Sequence, residues 1–168
     1  MPAVFITTAD AVDRETAWLR TSGDSLPALL ADDGGHFDLV EPYLLRTPAR
    51  RKNRLYVLRP KFRIQTFAAQ RRIPHYDMEL LAVWTLSNGT GDFQADQRAF
   101  DVALNDVVAR IGGFGPPHMD KTHGGAFMSA AEDPGLIEVQ ITPYDMPTPG
   151  LEIEAHITYT VDDPDFNG

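Results

Sequence analysis

The chain has 168 residues, of which 43% are hydrophobic and 23% are charged, and this length and composition predict one globular domain spanning residues 1–168. It contains no cysteine, which excludes disulfides and cysteine-based metal or redox chemistry. The formal net charge of −9 disfavours general affinity for nucleic acids. We expect no signal peptide and no membrane partner, because the longest wholly apolar run is only Leu80–Trp84.

The N-terminal part of the sequence predicts a helix followed by strands. The stretch "TADAVDRETAWLRTSG" has a cap residue, a partial apolar face and a terminating glycine, which indicate an α-helix. The stretch "DSLPALLADDGG" predicts one more short helical turn, capped at Asp24 or Ser25. Two strands follow, "HFDLVEPYLLRT" and "NRLYVLRPKFRIQTF", joined by the loop "PARRKN".

The second of these strands separates apolar from basic residues. Its period of two predicts one face with Tyr56, Leu58, Phe62 and Ile64 and another face with Arg59, Lys61, Arg63 and Gln65. Pro60 interrupts the pattern. Because proline cannot donate to a strand ladder, Pro60 indicates a sheet edge, a bulge or a break.

The C-terminal part of the sequence contains three strand patterns and one helix pattern. "DMELLAVWTL" is apolar on both faces and predicts a central strand. In "FQADQRAFDVALNDVVARIGG", apolar residues recur at helical spacing before a glycine stop. "LIEVQIT" and "LEIEAHITYTV" predict two further strands, and the last one alternates without error, with its odd-numbered residues inward.

The order of these elements defines the expected fold class. Strands grouped with few intervening helices are typical of an α+β domain. We therefore predict an antiparallel β-sheet of about four to five strands with two main α-helices packed on one face.

No segment has a convincing catalytic or metal-binding pattern. His118, Asp120 and His123 of "HMDKTH" are residue types that bind zinc, but glycine and proline flank them on both sides. We interpret this segment as a mobile polar loop and expect no metal and no cofactor. "GGFG" follows a helix instead of preceding one, so it is a helix stop and not a phosphate cradle. The sequence therefore predicts that the protein is not an enzyme, although a site assembled in space stays possible.

The charge distribution is strongly uneven. Ten of the 15 lysines and arginines fall between Arg46 and Arg72, where there is no acidic residue, and the last 47 residues contain nine acids and no lysine or arginine. The basic segment has three interpretations: contact with nucleic acid, a solvated edge strand that resists unwanted pairing, or a subunit interface facing the acidic C-terminal strands of a neighbour.

We favour the subunit interface, because it uses both halves of the charge asymmetry. The predicted interface residues are Arg50, Arg51, Lys52 and Arg54 on the basic side and Glu138, Glu152 and Glu154 on the acidic side.

The order of several stretches resembles a family of phage proteins. These stretches are "AWLR" at the end of the first helix, "MELLAVWTL" leading into "ADQRAFDVALNDVVARI", then "GGAFMSAAEDPGLIEVQITP" and the closing "LEIEAHITYTV". Together they resemble the tail terminator (tail completion) proteins of long-tailed bacteriophages, and the actinobacterial-phage branch in particular. The strand pair around "PARRKN" and the loop "FGPPHMDKTHGG" are longer than in the shorter members.

The resemblance implies a structural virion protein with a small α+β protomer. It implies a homo-oligomer, a hexameric ring that caps the tail tube and provides the head–tail joining surface. The implied partners are the tail tube protein and a head-completion or connector protein, with DNA only in passage. The implied location is the tail–neck region of the virion, and the host cytoplasm during assembly. Alternatives are a head–tail connector or neck protein, a nucleic-acid-binding domain, and an unrecognised hydrolase.

Overall fold

The structure is a computed structural model that describes residues 8–23, 25–47, 52–68, 71–86, 92–113, 121–127, 129–131, 137–142, 152–163 and 166–167. The helices within these ranges are α1 (Thr8–Leu19), a 3-10 helix (Ala31–Asp33) and α2 (Phe93–Ile111). The strands are β1 (Leu39–Pro42), β2 (Arg54–Ala68), β3 (Arg71–Thr85), β4 (Ser129–Ala130), β5 (Glu138–Ile141), β6 (Glu152–Asp162) and β7 (Phe166–Asn167). None of these described helices has the length and apolar character needed to cross a membrane.

The strands form one curled, mixed sheet in which β1, β2, β3 and β6 lie side by side in that order. β5 and β4 pair with successive parts of the outer edge of β6, and β7 pairs with the beginning of β3. All of these pairs are antiparallel except β1 with β2. Because the helices pack on this sheet, the predicted α+β fold class is confirmed.

The pairing of β1 with β2 differs from the antiparallel arrangement that the sequence predicted. Leu39 lies across from Arg54 and Pro42 across from Val57, in parallel register. A parallel neighbour cannot follow a tight hairpin, because the chain must return to the same end of the sheet before the second strand begins. β1 and β2 are therefore not joined by a tight hairpin, and residues 48–51 of the connection between them lie outside the described residues.

The pairing of β2 with β3 contains a register shift at Pro60. Leu58 lies across from Glu79, and the next pair is Lys61 with Asp77, so β2 has one more residue than β3 between these pairs. A bulge is a place where a strand tolerates proline. The bulge is one of the three outcomes that the sequence predicted for Pro60.

The bulge changes which side of the sheet the residues of β2 occupy. Before it, Val57 lies on the core side, so its neighbours Tyr56 and Leu58 lie on the opposite side. After it, Phe62 and Ile64 return to the core side, because the extra residue reverses the alternation. The prediction that these four residues, Tyr56, Leu58, Phe62 and Ile64, share one face is therefore wrong.

The core lies between one side of the sheet and the two α-helices. α2 begins at the N-cap Asp92, whose side chain accepts hydrogen bonds from two backbone amides, and it ends at Gly112. From β6 and α2 the core contains Ile153, Ala155, Ile157, Tyr159 and Val161 together with Phe100, Ala103, Leu104, Val107 and Ile111. The alternation predicted for the last strand is thereby confirmed from Ile153 to Val161, and Leu151 lies outside the described residues.

Replacing Ile157 by aspartate should prevent folding, because the side chain is fully buried in the middle of β6 and an unpaired buried charge is very costly. The matched control is Val102→Asp, since Val102 is an apolar residue on the exposed side of α2. We expect the control to melt like the wild-type protein when followed by circular dichroism. A soluble Ile157→Asp protein with a cooperative melting transition would contradict the assignment of the core.

Candidate assembly interface

The predicted basic loop is only partly described by the structure. Arg50 and Arg51 lie outside the described residues, and Lys52 is exposed shortly before β2. Arg54 is the first residue of β2 and is only 3% exposed. Arg54, which the interface prediction grouped with the basic residues 50–52, is therefore a buried strand residue and not part of an exposed loop.

The predicted acidic side lies on β5 and β6. Glu138 and Glu152 are exposed, and Glu154 is half-buried. Nη2 of Arg54 lies 2.7 Å from Oε1 of Glu152 in the same chain. One member of each predicted charge patch is therefore paired within the protomer. For Lys52, Glu138 and Glu154 the intersubunit role stays a prediction.

The side of the sheet that faces away from the core carries polar pairs between neighbouring strands. Nδ1 of His156 lies 2.5 Å from Oε1 of Glu79. Asp77 accepts a hydrogen bond from the Thr160 hydroxyl at 3.0 Å and one from Nη2 of Arg63 at 3.3 Å. Cross-strand pairs of this kind stabilise a sheet modestly. They also neutralise part of the basic charge of β2 within the protomer.

A second set of polar side chains lies on the same side of the sheet, near its end. Nδ1 of His75 lies 2.5 Å from Oδ1 of Asp162, and its Nε2 donates to Oε1 of Gln65 at 3.0 Å. The Ser129 hydroxyl donates to the other oxygen of Asp162 at 3.3 Å. In a catalytic triad the histidine contacts the serine, whereas here the carboxylate lies between them. This arrangement does not activate Ser129 as a nucleophile.

Beyond its bulge, β2 continues as an exposed strand. We call residues 60–66 the distal β2 edge, because all of them are exposed and no described strand pairs with their outer side. Phe62 and Ile64 lie on the core side of the sheet and are 49% and 50% exposed. Lys61 and Arg63 lie on the other side. The segment therefore has an apolar face and a basic face, both open to solvent.

β5 forms the opposite edge of the sheet. All four of its residues are exposed, and we call this strand the β5 edge. Val139 and Ile141 lie across from Ile157 and Ala155 of β6, so they are on the core side, yet they are 38% and 45% exposed. Glu138 lies on the other side. The β5 edge therefore has an apolar face and an acidic face.

A buried polar cluster fixes residues 121–127, which are the described part of the loop after α2. His123 donates from Nε2 to the carbonyl oxygen of Ile111 at 2.8 Å, and its Nδ1 lies 2.8 Å from Oε2 of Glu15. The Tyr159 hydroxyl donates to Oε1 of Glu15 at 2.5 Å. The ring of Trp18 stacks on the imidazole with 3.7 Å between centroids. The cluster joins α1, α2, the loop and β6, and it is closed to solvent.

The interpretation of "HMDKTH" as a mobile polar loop is wrong at His123, which is buried. His118 and Asp120 lie outside the described residues. In the described part of the chain, no group of three or more histidine, aspartate or glutamate side chains could hold a metal ion. The sequence reading missed Glu15, although its spacing of four residues from both Ala11 and Leu19 places it on the buried side of α1.

A charged pair fixes the same loop from its other end. Arg14 donates to both carboxylate oxygens of Asp163 at 3.1 Å and also donates to the carbonyl oxygen of Ala126. Burial raises the pKa of the Asp163 carboxyl, and the adjacent guanidinium of Arg14 acts in the opposite direction. Because the carboxylate is inaccessible, the pair holds the loop in place and offers no surface for a substrate.

The polar groups of the described structure thus divide into two kinds. One kind, Glu15, His123, Arg14 and Asp163, holds the loop after α2, and the other lies on the polar side of the sheet and at its two edges. Comparison of the chain with models of known protein families found no match, and no curated protein matched it. On the surface that the structure describes, each of the two edges combines an apolar face with a charged face.

Replacing Tyr159 by phenylalanine should lower the free energy of unfolding by about 1–3 kcal/mol, because it leaves one buried oxygen of Glu15 without its donor. The matched control is Tyr43→Phe, since Tyr43 is exposed and the change should be nearly neutral. Urea denaturation followed by tryptophan fluorescence measures both. Equal stability of Tyr159→Phe and the wild-type protein would show that the cluster does not hold the loop.

Stability should also fall at alkaline pH through the same tyrosine. Burial and the negative charge of Glu15 raise the pKa of Tyr159 well above its ordinary value. An unfolded tyrosine loses its proton near pH 10, so above about that pH the folded state binds more protons and stability decreases. Between about pH 9 and 11, wild-type protein should lose more unfolding free energy than Tyr159→Phe does. Parallel losses in the two proteins would refute this.

Proposed function

We propose that the protein is a structural virion protein, a ring-forming tail terminator that caps the tail tube and provides the head–tail joining surface. The observation that carries the proposal is that both opposite edges of one sheet end in exposed strands. The resemblance of the sequence to tail terminator proteins supplies the particular assembly.

Exposed strand edges with apolar residues are rare on proteins that work alone. They invite pairing with other chains, and proteins usually protect them with charge, proline or a covering segment. Here Phe62 and Ile64 on one edge and Val139 and Ile141 on the other are each more than a third exposed. Such edges suit a protomer that is covered by neighbours in its working state.

Two different edges favour a ring over a symmetric dimer. If each contact joins one surface of a copy to a different surface of the next copy, the copies at the two ends of a row each keep one unpaired surface until the row closes. Closure with a fixed rotation gives a ring, and six copies is the number that the resemblance implies. The partners proposed with it are the tail tube protein on one face and a head-completion or connector protein on the other.

The charge distribution fits a channel through which DNA only passes. Contacts between lysine or arginine and phosphates raise affinity for DNA, which would hinder sliding. In the described structure, Arg54 and Arg63 already contact carboxylates of their own chain. A head–tail connector or neck protein would share these properties, and capping of the tube is the behaviour that separates the two.

The size of the assembled particle tests this proposal. Light scattering at several protein concentrations, alone and after addition of purified tail tubes, should find a particle of six times the 18.6 kDa chain mass, and negative-stain images should contain six-fold rings at tube ends. A monomer that shifts only on addition of DNA would favour a nucleic-acid-binding domain instead. Rings that leave tube ends open would favour a neck protein.

Reversing the exposed charge of the basic loop should weaken ring formation or tube capping. We expect Lys52→Glu to retain the wild-type melting temperature, because exposed charges contribute little to stability, while Arg50→Glu and Arg51→Glu added to it should weaken assembly further. Arg54 is left unchanged, since it is buried and paired. The control is Arg98→Glu, which reverses one exposed charge on α2. Normal capping by the triple variant, with loss of DNA affinity alone, would exclude the assembly role of the loop.

A further inference from the structure

The two exposed edges run in compatible directions. From β2 through β3 and β6 to β5, each strand is antiparallel to the one before it, so β5 runs opposite to β2. If a second copy lies beside the first in the same orientation, its β2 therefore runs antiparallel to the β5 of the first copy. Antiparallel strands can form a regular ladder of backbone hydrogen bonds at such a junction.

The side chains of the two edges also match across such a junction. A continuous sheet keeps the same side toward the core from one strand to the next. Phe62 and Ile64 of the distal β2 edge and Val139 and Ile141 of the β5 edge all lie on the core side. Joining the edges would place apolar residues beside apolar residues on that side and remove them from water.

The opposite side of the junction matches in charge. Lys61 and Arg63 lie there on β2, and Glu138 lies there on β5. In the described part of the chain, neither Lys61 nor Glu138 forms an ion pair with its own protomer. Pairing two β2 edges would instead bring basic residues together, and like charges across strands are destabilising. The charges therefore favour pairing of the β2 edge of one copy with the β5 edge of another copy.

We infer that the distal β2 edge of one copy pairs with the β5 edge of the next copy as an antiparallel ladder, so that a second copy of this chain is the occupant of both edges. The inference rests on the proposed function, because it describes how the subunits of the ring join. It goes beyond that function by naming the two strands and their direction.

The matching faces restrict the register of this ladder. Apolar faces coincide only if even-numbered residues of the distal β2 edge lie across from odd-numbered residues of β5, since a slip of one residue turns every side chain to the other side. The register that places Arg63 across from Glu138 also places Phe62 across from Val139. Arg63 pairs with Asp77 of its own chain as well, and the same register puts Lys61 at the diagonal position to Glu138, which is within reach of a long side chain. This register satisfies the charge match and the apolar match together.

Engineered disulfides test the register, and the chain has no cysteine of its own to interfere. In the double variant with Phe62→Cys and Val139→Cys, the proposed register places the two cysteines of neighbouring copies directly across from each other. Residues in such positions are within disulfide distance. Oxidation of the assembled protein should give a ladder of covalent oligomers that disappears on reduction. The matched control is Phe62→Cys with Gln140→Cys, because Gln140 is adjacent to Val139 but lies on the opposite side of the strand. It should give no oligomers above background.

The outcomes separate this inference from the proposed function. A ladder from the first pair and none from the control supports the inference, whether or not the largest species is a hexamer. A ladder that never closes into a six-fold ring would leave the edge pairing in place and refute the proposed ring. Six-fold rings without cross-links in the first pair would refute the edge pairing alone. Equal ladders in both pairs, a covalent dimer from Phe62→Cys alone, or protein that stays monomeric under oxidation would each overturn the inference.

Discussion

The register shift at Pro60 determines what the long β2–β3 hairpin presents to its surroundings. One extra residue in β2 returns Phe62 and Ile64 to the side of the sheet that carries the core, although both side chains are exposed there. The same residue moves Lys61 and Arg63 to the polar side. Without the bulge the alternation would be reversed, and the apolar and basic faces of this edge would no longer match those of β5.

Charged groups inside the protein have a different role from those at its edges. Arg110 of α2 is fully buried and donates to the backbone carbonyls of Trp18 and Pro27. The carbonyls at the end of a helix lack intrahelical partners, and this arginine adds a donor to the Trp18 carbonyl at the C-terminus of α1, which also accepts from the amide and hydroxyl of Thr21. With the Glu15–His123 pair, it joins both helices to the loop after α2. A rigid interior of this kind is what an assembly subunit needs if its edges are to meet at fixed positions.

The sequence was sufficient for the elements whose pattern depends on a single buried face. α2 and β6 followed from periods of 3.6 and two, because each packs one face against the core. The parallel pairing of β1 and the start of β3 at Arg71 did not follow. Both depend on which strands become neighbours, and local periodicity does not determine that.

The charged residues were harder to predict than the apolar ones. Arg54 and Glu152 were assigned to separate interface patches, yet they form a pair within one protomer, because β2 and β6 lie on either side of β3. His123 was assigned to an exposed loop, yet it is buried because α1 supplies Glu15 as its partner. Both contacts join residues about a hundred positions apart, and a single sequence contains no signal for such a distance. The opposite charges of Arg63 and Glu138 can be read from the sequence. Their positions on two different edges follow only from the arrangement of the strands in the sheet.

Amide hydrogen exchange on the protein at low and high concentration tests the central claim most directly, namely that copies join through these two edges. Alternate backbone amides of β2 and β5 already donate to β3 and β6, so the informative amides are the outward-pointing ones within residues 61–66 and 138–141. These outward amides should exchange rapidly in the monomer and become protected together as the protein assembles, because both strands gain ladder hydrogen bonds at the same junction. The claim would be contradicted by an assembled particle in which these amides exchange as fast as in the monomer, or in which only one of the two segments becomes protected.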